Sequence, residues 1–152
     1  MDDLDPTPEI SLEIVYADEH LLELEAIVRN GLWRGQAKAY TLPRDIATFA
    51  TSLERFADGA VATAAFQAGD DTGIGLISLR FYRIDRAGHI ACHTTLVTND
   101  YSTDHRPEEE WRLAVEAGAE SWAVLQFARQ LTCVASAEAG RASLAIAPVA
   151  IS

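Results

Sequence analysis

Leu21-Leu22-Glu23-Leu24-Glu25-Ala26-Ile27-Val28-Arg29-Asn30-Gly31-Leu32-Trp33 leads through residues 33–42 to Pro43. Leu22, Leu24, Ala26 and Val28 alternate with Glu23 and Glu25, the period-two pattern of a strand with one buried face. Asn30-Gly31 is the strongest hairpin signal in the chain, and a further strand follows over about 33–42. Pro43 then opens a helix, because proline's missing N–H costs nothing in a first turn. Ile46, Phe49, Ala50, Leu53, Phe56 and Ala57 follow at helical spacing, and Asp58-Gly59 ends a helix of about 44–57. Antiparallel strands running into one amphipathic helix make an α+β unit.

Working outward, residues 11–16 read as a strand and Ala17-Asp18-Glu19-His20 as a polar break. Residues 60–68 and 74–84 read as strands, joined by the turn 69–73. Asp85-Arg86-Ala87-Gly88 has the Asp-first, Gly-last pattern of a type I turn. A return strand covers 89–98, and a polar loop containing Pro107 covers 99–109. Residues 111–117 alternate again. A second helix of about 120–136 carries Val124, Phe127, Ala128, Leu131, Val134 and Ala135 on one face. Residues 142–147 read as a short strand or an ordered tail, ended by Pro148.

The second helix repeats the apolar spacing of the first at a constant offset of 78 residues. Each helix follows a group of antiparallel strands, which suggests two (β)n-α halves. A helix packed on any sheet produces the same spacing. The expected architecture is a single antiparallel sheet of about six to seven strands with two helices on one face. It spans residues 11–147, between an acidic tail (1–10) and a C-terminal tail (148–152).

The chain has 152 residues, 49% hydrophobic and 23% charged, which suits one folded domain. The acidic start lacks the basic-then-apolar pattern of a signal peptide, and no stretch approaches the ~18 apolar residues of a membrane span. A cytoplasmic protein is expected. Cys92 and Cys133 are far apart in sequence and form no C-x-x-C, so both are read as reduced, buried thiols. The net charge of −11 is uneven: residues 1–25 hold nine acids and no Lys or Arg. The remainder carries twelve basic and fourteen acidic residues. Such an imbalance disfavours nucleic acid and steers a basic partner. It also serves as a plain solubilising face.

Known chemistries find little support. His89 and His93 share a strand face but lie about 13 Å apart, too far for one metal ion. Cys92 points to the opposite face. There is no G-x-S-x-G elbow, no phosphate loop at Gly31–Gly35 and no dinucleotide loop at Gly73-Ile74-Gly75. His105, with Asp104 and Glu108 nearby, is a candidate for acid–base work in an exposed loop. His20 sits beside Asp18 and Glu19 in the acidic section. No metal or cofactor is expected.

If both helices cover one face of the sheet, the other face is open. Two hairpin registers decide what it displays. A tight Arg86-Ala87 loop sets Arg80 opposite His93, with Ile77, Leu79, Phe81, Ile90, Cys92 and Leu96 inside and Arg80, Tyr82, His93 and Thr95 outside. A bulged turn with Gly88 left-handed sets Phe81 opposite His93. The apolar pattern favours the first, and Gly88 favours the second. Trp33, Trp111 and Trp122 are read as core residues, although Trp33 beside Arg34 also has the character of an interface anchor.

Asn30-Gly31-Leu32-Trp33-Arg34-Gly35 with Tyr40, Phe49-Ala50-x-x-Leu53-x-x-Phe56, and Leu79-Arg80-Phe81 with Asp85-Arg86-Ala87-Gly88-His89 resemble a family of small uncharacterised bacterial α+β domains. The resemblance covers about residues 12–135. Its motifs are turns and core positions, and it implies a fold without an activity. Small acidic bacterial proteins of this build resemble immunity proteins that neutralise toxins. The expected function is therefore a non-enzymatic binding protein that blocks a basic partner. Asp18, Glu19, Glu23, Glu25, Trp33, Arg80, Tyr82 and His93 are the candidate contact residues. The alternative is a homodimer, or a small-ligand-binding module, that uses the open sheet face or a sheet edge.

Overall fold

The computed structural model describes residues 7–70, 73–99 and 110–149. The expected loop at 100–109, with His105, Asp104 and Glu108, lies outside the described residues, as do most of the acidic tail and residues 150–152. The elements run β1 (Glu9–Ala17), β2 (Leu22–Asn30), β3 (Trp33–Thr41), α1 (Pro43–Ala57), β4 (Thr63–Gly69) and β5 (Gly75–Arg83). They continue through β6 (Ile90–Thr98), β7 (Trp111–Ala119), α2 (Ser121–Ala137) and β8 (Gly140–Ala145). The stripes read from the sequence are buried: Ile46, Phe49, Ala50, Leu53 and Phe56 in α1, and Val124, Phe127, Ala128, Leu131, Val134 and Ala135 in α2. On β2, Leu22, Leu24, Ala26 and Val28 are buried as the alternation requires.

The class is α+β, but the sheet differs from the expected one. The eight strands of the described residues form two antiparallel sheets of four, ordered β3-β2-β1-β8 and β4-β5-β6-β7. A flat sheet of eight strands would be about 34 Å wide. Two adjacent helices span only about 20 Å, too little to cover it. The chain solves this by dividing the strands and folding both sheets around the helix pair. The helices pack on each other, with α1 also against β4 and α2 against β8. One continuous core results, drawing on both sheets and both helices. Each half of the chain builds mainly its own sheet, while β8 crosses back to pair with β1.

Two seams join the sheets. At one, β3 crosses the end of the second sheet, and Thr98 Oγ1 donates to the Gln36 carbonyl (3.0 Å). Gly75 permits this approach, since a Cβ there would stand 2.4 Å from the Lys38 carbonyl oxygen. At the other seam, Gly118 and Ala147 exchange both backbone hydrogen bonds (2.7 and 3.0 Å).

The turns explain the registers. Asn30 pairs with Trp33, so Gly31 and Leu32 form a two-residue loop. Gly31 has φ +63°, and Glu138 is the one non-glycine with positive φ among the described residues. Leu32 therefore has negative φ, which makes the turn type II′. In the β5–β6 hairpin Arg80 stands opposite His93. The Ile84 N–H donates to the His89 carbonyl (3.0 Å), and Gly88 has φ +87°. A four-residue turn thus combines the first interior register with a left-handed Gly88, two features that the sequence had set against each other.

Two expectations about burial are corrected. Trp33, Trp111 and Trp122 are 67%, 75% and 64% exposed. Each sits in the first two residues of its element. Cys92 is buried, but Cys133 lies on the exposed side of α2. Burial pushes the Cys92 thiol up to about 12. An alkylating reagent should therefore label Cys133 in the native protein and Cys92 only after denaturation. Equal native labelling of the two thiols would contradict this arrangement.

Candidate functional site

The outer face of the first sheet carries Glu9, Glu13, Glu23 and Glu25, four of the nine N-terminal acids, yet they are not alone there. Cross-strand rows place Arg141, Glu13, Glu25 and Lys38 in one line, and Glu9, Arg29 and Arg34 in another. Glu9 accepts hydrogen bonds from Arg29 (2.9 Å) and from Arg141. Glu25 accepts one from Gln36. The first row sums to zero and the second to one positive charge, so Glu9, Glu13 and Glu25 are matched in space by basic residues of other strands.

One row is different. Tyr16, Glu23 and Tyr40 stand side by side at the end of the sheet with no basic residue among them. A bulge at Val15 produces this row. Without the extra residue, Tyr16 would join Ile10, Leu12 and Ile14 on the inward side. The β1–β2 turn continues the patch. Asp18 Oδ1 accepts the backbone N–H groups of His20 (2.7 Å) and Leu21 (2.9 Å), and the Tyr16 hydroxyl donates to Asp18 Oδ2 (3.1 Å). The hydrogen bonds from the His20 and Leu21 N–H groups hold the Asp18 carboxyl below its usual range. The bond to Asp18 holds the Tyr16 phenol above its own. Glu19 is exposed beside His20 (3.5 Å).

The second sheet brings Arg80, Tyr82 and His93 together on its outer face, as the hairpin reading expected. It adds Glu116 from β7, so that Arg80, His93 and Glu116 form one row. The Arg80 guanidinium lies 5.6 Å from the Tyr82 ring centre, and the Tyr82 hydroxyl donates to Glu116. That bond raises the Tyr82 phenol above its usual range. Glu116 escaped the sequence reading because alternation within β7 says nothing about its register on β6.

The eight candidate residues therefore do not form one site. Asp18, Glu19 and Glu23 cluster at one end of the first sheet, while Glu25 lies one row inward beside Lys38. Trp33 is at the opposite end of the β2–β3 hairpin. Arg80, Tyr82 and His93 belong to the other sheet.

A groove of about 370 Å³ opens between the β5–β6 turn, the start of α2 and residues 145–148. His89 lines it, with its Nδ1 2.6 Å from Asp85 Oδ2. Asp85 also accepts the His89 backbone N–H (3.1 Å), so the pair fastens the turn. Ser121 and Trp122 share the groove, and no Ser121–His89 hydrogen bond is present among the described residues. Among the described residues no three His, Cys, Asp or Glu side chains gather at a metal-binding separation, and no helix is long and apolar enough to cross a membrane. No family model, curated protein or solved structure matches the chain.

Proposed function

We propose that the chain is a non-enzymatic protein-binding module of the inhibitor type, which takes a basic side chain of its partner at the Tyr16–Glu23–Tyr40 row. The supporting observation is that row itself: a carboxylate between two exposed tyrosines, extended by Asp18 and Glu19, with no basic side chain in the row. A guanidinium docking there gains a charge-assisted hydrogen bond and two flanking aromatic faces. The carboxylates also steer a basic protein toward this end of the sheet. Glu25 contributes little, because Gln36 and Lys38 already engage its surroundings.

An arginine hexapeptide titrated into 15N-labelled protein is expected to move the amide signals of Tyr16, His20, Glu23 and Tyr40. Glu19→Gln with Glu23→Gln should weaken its binding by about tenfold, which corresponds to about 1.4 kcal/mol. Glu25→Gln should leave it unchanged. Equal sensitivity to Glu25→Gln, or no loss on removing Glu19 and Glu23, would overturn the reading. Asp18 is left intact because it organises the turn.

A further inference from the structure

We propose that β7 is a dimerisation edge: two copies of the chain pair their β7 strands antiparallel about a two-fold axis at Ala114, joining their second sheets into one continuous eight-stranded sheet. This surface is separate from the Tyr16–Glu23–Tyr40 row, so either reading stands or falls without the other.

The bridge at Gly118 sets the phase of the edge. Gly118 turns its N–H and C=O away from β6, toward Ala147. Backbone groups alternate sides along a strand, so Glu116 and Ala114 turn theirs the same way. No described strand pairs with β7 on that side before Gly118. The chain's own C-terminal segment leaves the edge there rather than running along it. Its backbone passes instead over the face at Gly118, where a Cβ would meet the Pro148 carbonyl oxygen at 3.1 Å. An exposed, unpaired edge is a template for another strand.

The sequence of the edge then selects its occupant. Centred on Ala114, the strand Trp111–Ala119 is complementary to itself. Arg112 falls opposite the second copy's Glu116, Leu113 opposite Val115, and Trp111 opposite Ala117. Opposite charges or apolar pairs thus face each other from Trp111 to Ala117. Ala114 meets its own copy as a hydrogen-bonded pair, as the phase demands. Neighbouring registers fail. Centring on Leu113 sets Glu110 against Glu116, like against like. Centring on Val115 sets Arg112, inside the strand, against Gly118, whose hydrogen bonds Ala147 already takes, whereas centring on Ala114 brings only Glu110, before the strand begins, to that position. The exposure of Trp111, Ala114 and Glu116 leaves the edge open to a partner. A two-fold pairing of this kind is self-limiting, because each copy uses its edge once.

Sedimentation equilibrium of the full chain is expected to give twice the 16.5 kDa chain mass. Ala114→Pro removes an outward N–H and leaves the β6 ladder intact, so the variant should fold and be monomeric. Glu116→Arg places two arginines opposite each other and should raise the dimer dissociation constant by at least about tenfold. Arg112→Glu combined with Glu116→Arg restores the pairing and should restore the dimer, a rescue that no general loss of folding would produce. A monomeric wild type would overturn the proposal. So would a dimer that survives both single changes, or a double variant that stays monomeric.

Discussion

Phe81→Ala is expected to lower the free energy of unfolding by about 4 kcal/mol, the range for removing a fully buried aromatic ring. Phe81 is 0% exposed and sits mid-strand in β5, opposite Cys92. Its ring lies 6.1 Å from that of Phe49 and 6.2 Å from that of Phe56, both on α1. Together with Phe66 of β4, whose ring stacks on Phe49 at 5.2 Å, it joins the first helix to the second sheet. Truncation removes two ring–ring contacts and leaves a cavity that helix and strand cannot both close. A domain of this size has about 5–15 kcal/mol of stability in total, so the loss is a large fraction. Urea denaturation followed by far-UV circular dichroism measures it. A change below about 1 kcal/mol would mean that the Phe cluster is not the joint between helix and sheet. Phe56→Ala offers a cross-check. Arg83 lies over that ring at 4.3 Å and donates to the Phe56 carbonyl at 2.8 Å. The double variant should lose less than the sum of the single losses, because the two rings share one contact.

Gly75→Ala is expected to cost about 3 kcal/mol, at the upper end for overpacking. The added Cβ would stand 2.4 Å from the Lys38 carbonyl oxygen and 2.6 Å from that of Val97. Both are backbone atoms in strands, so neither can rotate aside. The seam between β3 and the second sheet must part. Gly31→Ala provides the contrast. A Cβ at Gly31 meets nothing within 4 Å, and only the positive φ of +63° opposes it. That strain costs about 1 kcal/mol. Thermal unfolding of the two variants separates the effects. Equal losses would show that β3 does not press on the end of the second sheet.

Much of the local structure was legible in the chain before any fold existed. Leu22, Leu24, Ala26 and Val28 declare a buried face by alternation, and the stripe from Ile46 to Phe56 declares a helix by its spacing. Both signals are carried by near neighbours. The errors share a different character. The three tryptophans read as core because of their bulk, yet at the starts of β3, β7 and α2 they are exposed. The acids of residues 1–25 read as one field because they are adjacent in sequence. Glu9 meets Arg141 across 132 positions, and no composition of a segment reports that neighbour. Tyr16 reached the outer face only through the bulge at Val15, which its own residues do not announce.

The amino-acid order alone carries the class and buried side of β2, α1 and α2 and the presence of turns at Gly31 and Gly88. These follow from backbone sterics and from the periods of strand and helix, which act over a few residues. Only the tertiary structure decided that eight strands divide into two sheets, and that β8 returns to β1. It also decided that Glu116 joins Tyr82, Arg80 and His93, and that a carboxylate between two tyrosines remains without a balancing cation in its row. Those outcomes depend on which strand edges meet and in what register. That choice minimises the exposed apolar surface of the whole chain, and no short stretch contains it.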